Sequence, residues 1–237
     1  MQDKEKARKL KERSREAFDT QAATYDEEMK GDHARRLYPI VAEEVASAVV
    51  GMKEPKLLDL GCGTGALAEL ILKTVPSCRL FCIDLSPCMI DVARARIGSH
   101  AEISLADAEA LPFSEEFFNA VWCNDSFHHY PDPKRAAFEA WRVLKPGGSL
   151  IIGDVWQPAP ARALMNAWMP YSQEGDVRIY SENEMRTILG TWFDTVEWRK
   201  VNSTACICIA RKGQCDEDVQ SDYLALNSPH SECIVRY

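Results

Sequence analysis

The sequence has no apolar run near the about 18 residues that a membrane-spanning helix requires. It is short of basic charge: 28 Lys and Arg face 36 Asp and Glu, a formal charge of −8 over 237 residues. That balance argues against nucleic acid as a partner, because neutralising a phosphate backbone calls for a basic patch. Nine cysteines are present, yet no two form a CxxC pair. Cys206 and Cys208 stand two apart in a strand-like run, which puts them on one sheet face and makes a poor metal signature. Reduced, mostly buried thiols in a cytoplasmic protein are therefore expected, with no metal centre. The first sixteen residues are mostly charged and include no apolar stretch, so they do not read as a secretory signal. No internal repeat or low-complexity block is present.

What the chain does have is 46% hydrophobic residues, enough for one well-buried domain. Helices are expected over 3–17, 16–30 and 33–51, and Pro55 breaks the chain before a strand at Lys56–Leu60. A helix at Ala66–Thr74, a strand at Arg79–Asp84 and a helix opening at Pro87 follow. Short strands are expected at Ile103–Ala106 and Ala120–Cys123, then a helix at Pro133–Leu144, a turn at Pro146–Gly148 and a strand at Ser149–Val155. Strand alternating with helix predicts an α/β fold, a doubly wound, mostly parallel sheet with helices on both faces.

Between 156 and 181 the rhythm lapses around Pro158, Pro160 and Pro170. Trp168, Met169 and Tyr171 in that stretch suit either core packing or a lid over a second substrate. Ser181 and Glu184 match a capping box that opens a helix to Leu189. Phe193–Lys200 and Ser203–Ala210 read as a C-terminal antiparallel hairpin. The expected organisation is N-terminal helices over 1–52, a core over 53–212 with an insertion at 156–181, and a polar tail over 213–237.

The chemistry is concentrated where the first strand ends, in Lys56-Leu-Leu-Asp-Leu-Gly-Cys-Gly-Thr-Gly-Ala66. Three alternate glycines, Gly61, Gly63 and Gly65, allow a tight turn and close approach of a ligand to the backbone. At the carboxyl end of a parallel strand, such a turn builds a nucleoside crevice. Asp84 ends the second strand about 20 residues after Gly65, the spacing at which a carboxylate meets a ribose diol. Asp107 follows the third strand, where it can accept from an exocyclic amine, and Asn124 follows the fourth.

These pieces, with Ile83-Asp-Leu-Ser-Pro87, Asp107-Ala-Glu-Ala-Leu-Pro-Phe113, Ser126-Phe-His-His-Tyr-Pro-Asp132 and Leu144-Lys-Pro-Gly-Gly148, occur in one order over about residues 15–210. In this the chain resembles the class I S-adenosylmethionine-dependent methyltransferases, within the bacterial ubiquinone/menaquinone-type group. The resemblance implies a Rossmann-like seven-stranded sheet with an N-terminal helical lid, and methyl transfer to a small-molecule acceptor. It implies that Gly61, Gly63 and Gly65 approach the methionine moiety with Asp59 beneath them, and that Asp84 binds the ribose. Leu85 and Met89 would flank the adenine, Asp107 and the Ala108 amide would meet its edge, and Asn124 would stand at the crevice mouth. Tyr25 would cover the cofactor's amino-acid end. No nucleophilic side chain is needed; His128 or His129 could act as a base, and Asp154 is a further polar candidate. Two rivals remain open. Gly61-x-Gly63-x-x-Ala66 with Asp84 also satisfies the dinucleotide pattern of an NAD(P)-binding oxidoreductase, and an intact cofactor site is compatible with a non-catalytic regulatory protein.

Overall fold

A computed structural model describes residues 2–27 and 31–214. Its elements in chain order are α1 (Gln2–Gln21), α2 (Asp32–Ala48), β1 (Lys56–Leu60), α3 (Ala66–Thr74), β2 (Arg79–Asp84), α4 (Pro87–Ile97), β3 (Ala101–Leu105) and β4 (Phe118–Asn124). There follow α5 (Pro133–Val143), β5 (Leu144–Val155), α6 (Ala159–Trp168), α7 (Glu182–Leu189), β6 (Thr195–Lys200) and β7 (Ala205–Arg211). The seven strands lie in the order β3-β2-β1-β4-β5-β7-β6. The first five are parallel, and β7 runs antiparallel between β5 and β6. This is the Rossmann-like sheet with a terminal hairpin that the sequence predicts.

Local chemistry explains most of the boundaries. Ser86 caps α4 by accepting from Met89 N, and Pro87 occupies the first helical turn, where a missing N–H costs nothing. Asp132 and Pro133 open α5 in the same way. Ser181 and Glu184 complete a reciprocal capping box at α7. The central strands are hydrophobic on both faces because both faces are covered. Leu58, Val121 and Ile152 face a layer with α5 and α7, whereas Leu57, Trp122 and Ile151 face a layer with α2, α3 and α4.

Three expectations change. The helices expected over 3–17 and 16–30 are one continuous helix to Gln21, followed by turns over 22–27. The Pro146–Gly148 turn lies inside a single strand, where the β4–β5 register shifts between Phe118 and Ala120. The lapse after 156 holds a helix, α6, that buries none of its residues. Ala161, Leu164, Met165 and Trp168 do recur at helical spacing, but Pro158 and Pro160 break the rhythm ahead of them. The stripe, exposed at Leu164, Met165 and Trp168, is not turned to the core. The expected tail lies outside the described residues from 215 onward.

Strand order reverses between β1 and β4, and at this switch point an open sheet has a crevice outside its carboxyl edge. Among the described residues no helix is long and apolar enough to cross a membrane.

Candidate active site

The crevice encloses about 1010 Å³ including its open mouth. Its floor is built from main chain. Gly61 N and Cys62 N both donate to Ile83 O at 2.9 Å, tying the end of β1 to β2. Asp84 then accepts from Gly63 N and from Ser86 N, each at 2.8 Å, so its carboxylate fastens the two strand-end loops together. Burial pushes the Asp84 carboxyl up against the effect of these hydrogen bonds. Gly61 has φ +75°, and a Cβ there would meet Ser126 Oγ at 2.5 Å. Gly63 faces open space, with nothing within 4 Å of a Cβ, which leaves room for a ligand beside its Cα.

Asp59 is buried beneath this loop, and its Oδ2 has no hydrogen-bond partner. Burial, then the charge of Asp84, pushes its carboxyl well above the usual carboxylate range. Leu85, Met89, Asp107, Ala108 and Asn124 line the same crevice, as Tyr25 does from the opposite side. Gly65 does not. Its φ is +78°, and a Cβ there would meet Ile97 Cδ1 at 2.7 Å, so this glycine lets α3 and α4 pack closely.

Beyond β4 the wall is made from side chains. Asp125 adopts φ +54°, a left-handed conformation uncommon for a non-glycine residue, and its N–H donates to Gly153 O at 2.7 Å. Its carboxylate lies 2.7 Å from His33 Nδ1, while His33 Nε2 reaches Thr204 O at 3.1 Å. Two acceptors on one ring favour the doubly protonated form, and although burial opposes the charge, the Asp125 contact raises the His33 pKa. Burial likewise opposes charge on Asp125, but the His33 hydrogen bond and the His128 charge hold its carboxyl low.

His128 Nδ1 meets Asp154 Oδ1 at 2.6 Å, and Asp154 Oδ2 also accepts from His128 N at 3.0 Å. Burial disfavours the imidazolium, yet Asp154, Asp125 and Asp176 outweigh it and push the pKa to about 10. His129 goes the other way, to about 3, through burial and the adjacent His128 charge. His129 lines the crevice and His128 does not. Phe18 packs edge-on to both His129 and Tyr25, at 5.2 and 6.2 Å.

The sequence did not reveal what spans the mouth. Lys11 of α1 donates to Asp107 at 2.6 Å and to Glu109, and Asp19 accepts from Ser86 Oγ at 2.6 Å and Cys88 N at 3.2 Å. At the other side Arg13 reaches Pro170 O and Ser172 O, and Gln21 reaches Glu174. A charged helix reads as solvated, and only these long-range pairs disclose its place. Trp168 and Tyr171, read as core or lid, are not core: they are 67% and 78% exposed, meet edge to face, and do not line the crevice. Only Met169 of that trio is buried.

Comparison with known proteins agrees with this geometry. The profile of a methyltransferase-domain family matches residues 58–152. The malonyl-(acyl-carrier protein) O-methyltransferase of Hahella chejuensis is 36% identical over 141 residues, 57% of this chain and 47% of that protein. The demethylmenaquinone methyltransferase of Thermus thermophilus is 35% identical over 51% of this chain and 56% of its own. The chain thus spans about half the length of these curated relatives. Among solved structures, a complex of the Haloferax volcanii Trm112 methyltransferase activator with a putative methyltransferase superposes with TM-score 0.67 at 20% identity, over 83% of this chain and 98% of that one. The (4+2)-cyclase SpnF gives 0.65 at 23% identity, over 76% and 82%. At such identities the superpositions speak to fold, whereas the profile, over residues 58–152, spans the crevice loops at the ends of β1, β2, β3 and β4. Over those residues the chain is thus similar to the methyltransferase-domain family.

Proposed function

We propose that this protein transfers a methyl group from S-adenosylmethionine to a small-molecule acceptor. The observation that carries the reading is the pairing of the open space beside Gly63 with Asp84 and Asp107 at neighbouring strand ends, around one crevice at the switch point. Fit to the cofactor is supported by Asn124 Oδ1, a buried acceptor in the crevice lining with no partner of its own, which suits an ammonium donor. When bound, S-adenosylmethionine supplies a methyl group on a positively charged sulfur, a leaving group already activated.

The protein's tasks are then alignment and exclusion of water. Gly61 and Gly63 would lie along the methionine moiety, with Asp59 under the turn. Asp84 would hold the ribose, Leu85 and Met89 the adenine faces, and Asp107 and Ala108 its edge. Tyr25, with Phe18 packed edge-on to it, would cover the cofactor's amino-acid end against water, and burial pushes the Tyr25 phenol up, keeping it protonated. Beyond β4, Asp125 adds a carboxylate to the crevice lining, suited to accept a hydrogen bond from a hydroxyl or amine. His128 is an unsuitable base because its ring is already charged, and His129, held neutral down to about pH 3, is a weak one.

A thermal-shift titration with S-adenosylmethionine, its demethylated product and NAD tests the cofactor, since a ligand that binds only the folded state raises the midpoint by mass action. The two methionine-derived ligands should raise it and NAD should not. The opposite pattern would return the crevice to the oxidoreductase reading. Mass spectrometry of a small-molecule extract incubated with methyl-labelled cofactor then reads turnover, and binding without any labelled product would favour a non-catalytic protein.

A further inference from the structure

We propose that His128, His129 and Asp176 form a binding site for one divalent transition-metal ion of the zinc class, beside the acceptor wall and separate from the cofactor loops. Among the described residues these three bring one donor atom each to within 4.8 Å of one another. His128 Nε2 lies 3.6 Å, and His129 Nδ1 3.1 Å, from the same oxygen, Asp176 Oδ1. Ligands held about 2.0–2.1 Å from a metal at angles of 90–110° sit about 2.9–3.4 Å apart, so the spacing is close to that of a coordination shell. Two imidazoles and one carboxylate with positions left open suit zinc, iron or manganese rather than calcium.

Hydrogen bonding singles out these atoms. His128 uses Nδ1 to donate to Asp154, which fixes the ring and turns Nε2 toward Asp176, and metal binding at Nε2 would release that nitrogen's proton to solvent. A histidine whose other nitrogen is held by a carboxylate is the usual arrangement behind a metal ligand. His129 has a side chain only 9% exposed, and its Nδ1 is buried with no hydrogen-bond partner although Asp176 Oδ1 is 3.1 Å away. A buried ring nitrogen left without an aligned hydrogen bond beside a carboxylate oxygen is costly, and a cation held by both would satisfy it. Asp176 is positioned from behind, since Ser172 Oγ donates to its Oδ2 at 2.5 Å and leaves Oδ1 turned to the two rings. The other possible trio, Asp125, His128 and Asp154, is spent on protein partners. Asp154 accepts from His128 and from Val155 N, and Asp125 is held by His33.

Such an ion would join the turn after β4 to the segment between α6 and α7. The backbone already connects them there, with Val177 N and Arg178 N donating to His128 O at 2.9 and 3.2 Å. The site would clamp the acceptor-side wall without touching the cofactor loops. The sequence concealed it because adjacent histidines and an aspartate 47 positions further on follow no ligand spacing.

The test uses the full chain stripped with a chelator and titrated with Zn²⁺ alone by calorimetry. One equivalent should bind, with a higher melting temperature, and Asp176→Asn and His129→Gln should each weaken binding by about tenfold or more. X-ray absorption of the zinc-loaded parent should give nitrogen or oxygen neighbours at about 2.0–2.1 Å with imidazole scattering. This parent-only measurement decides the matter even where a variant does not fold. No binding, unchanged affinity in folded variants, or a sulfur shell at about 2.3 Å from the cysteines would each overturn the proposal.

Discussion

On the cofactor-facing side of the crevice, β1 and β2 are joined by main-chain groups, with Gly61, Cys62, Gly63 and Ser86 donating to Ile83 O or to Asp84. On the opposite side, beyond β4 and β5, side chains do the joining: His33 with Asp125, and His128 with Asp154 and, at 3.6 Å, with Asp176. The first side is short-range, made within one strand-loop-strand unit and open to a ligand. The second is long-range, and its charges lean on one another away from water. A change on the first side should therefore appear mainly in binding, and a change on the second mainly in stability.

The strongest challenge to this contrast is Asp154→Ala. It strips the buried His128 imidazolium of its nearest counter-ion, and breaking a buried pair of this kind costs about 3–5 kcal/mol. Chemical denaturation should show that loss, while the folded fraction binds S-adenosylmethionine nearly as the parent does. A loss below about 1 kcal/mol, the range of an exposed pair, would mean the two sides do not differ in this way.

Asp84→Ala comes next and sharpens the other half. Removing a charged acceptor from the ribose is worth about 1.5–3 kcal/mol, roughly 10- to 150-fold in cofactor affinity by calorimetry. Because Asp84 also accepts from Gly63 N and Ser86 N, the variant should lose about 1–3 kcal/mol of stability, more than a solvated strand-end acid would. Stability loss with unchanged affinity would make Asp84 a loop fastener alone.

Lys11→Met should have a smaller effect of the opposite sign. Lys11 occupies Asp107, the carboxylate proposed to meet the adenine amine, so its removal should tighten cofactor binding by about two- to fivefold, the scale of a half-exposed ion pair. The salt dependence of affinity should flatten as well. Weaker binding in the variant would assign Lys11 to holding the cofactor.

The smallest effect is one of pH. The His33 pKa is raised above 6.5 in the fold, so its contact with Asp125 stabilises fully below about pH 6.5 and is lost as pH climbs through the higher folded value. The melting temperature of the parent should thus exceed that of His33→Gln by more at pH 6 than at pH 9. A constant difference would remove the charge from this contact.

The comparison also divides what could be read from the residues alone. The β1 loop, Asp84 and the α7 capping box were legible because each is a local device, with partners a few residues apart or at the end of the next strand. The seven-stranded sheet followed from alternation in the same way. Three features were not legible: α6, which presents no buried face; the joining of the first two helices; and the place of α1 across the mouth, carried by Lys11, Asp19 and Gln21 through partners 67 to 153 positions away.

The pattern of apolar runs, glycines and strand-end acids was sufficient to specify the α/β sheet and the resemblance to methyltransferases, since such patterns encode which faces are buried and where the backbone must turn. Which side chains share a buried space was decided by folding. Gly65 turned out to serve helix packing, Trp168 and Tyr171 lie exposed outside the crevice lining, and His128 and His129 acquire opposite protonation. The physical reason is that a charge in a low-dielectric interior responds to every neighbour within a few ångströms. Those neighbours, Asp125, Asp154 and Asp176, come from three separate stretches of chain.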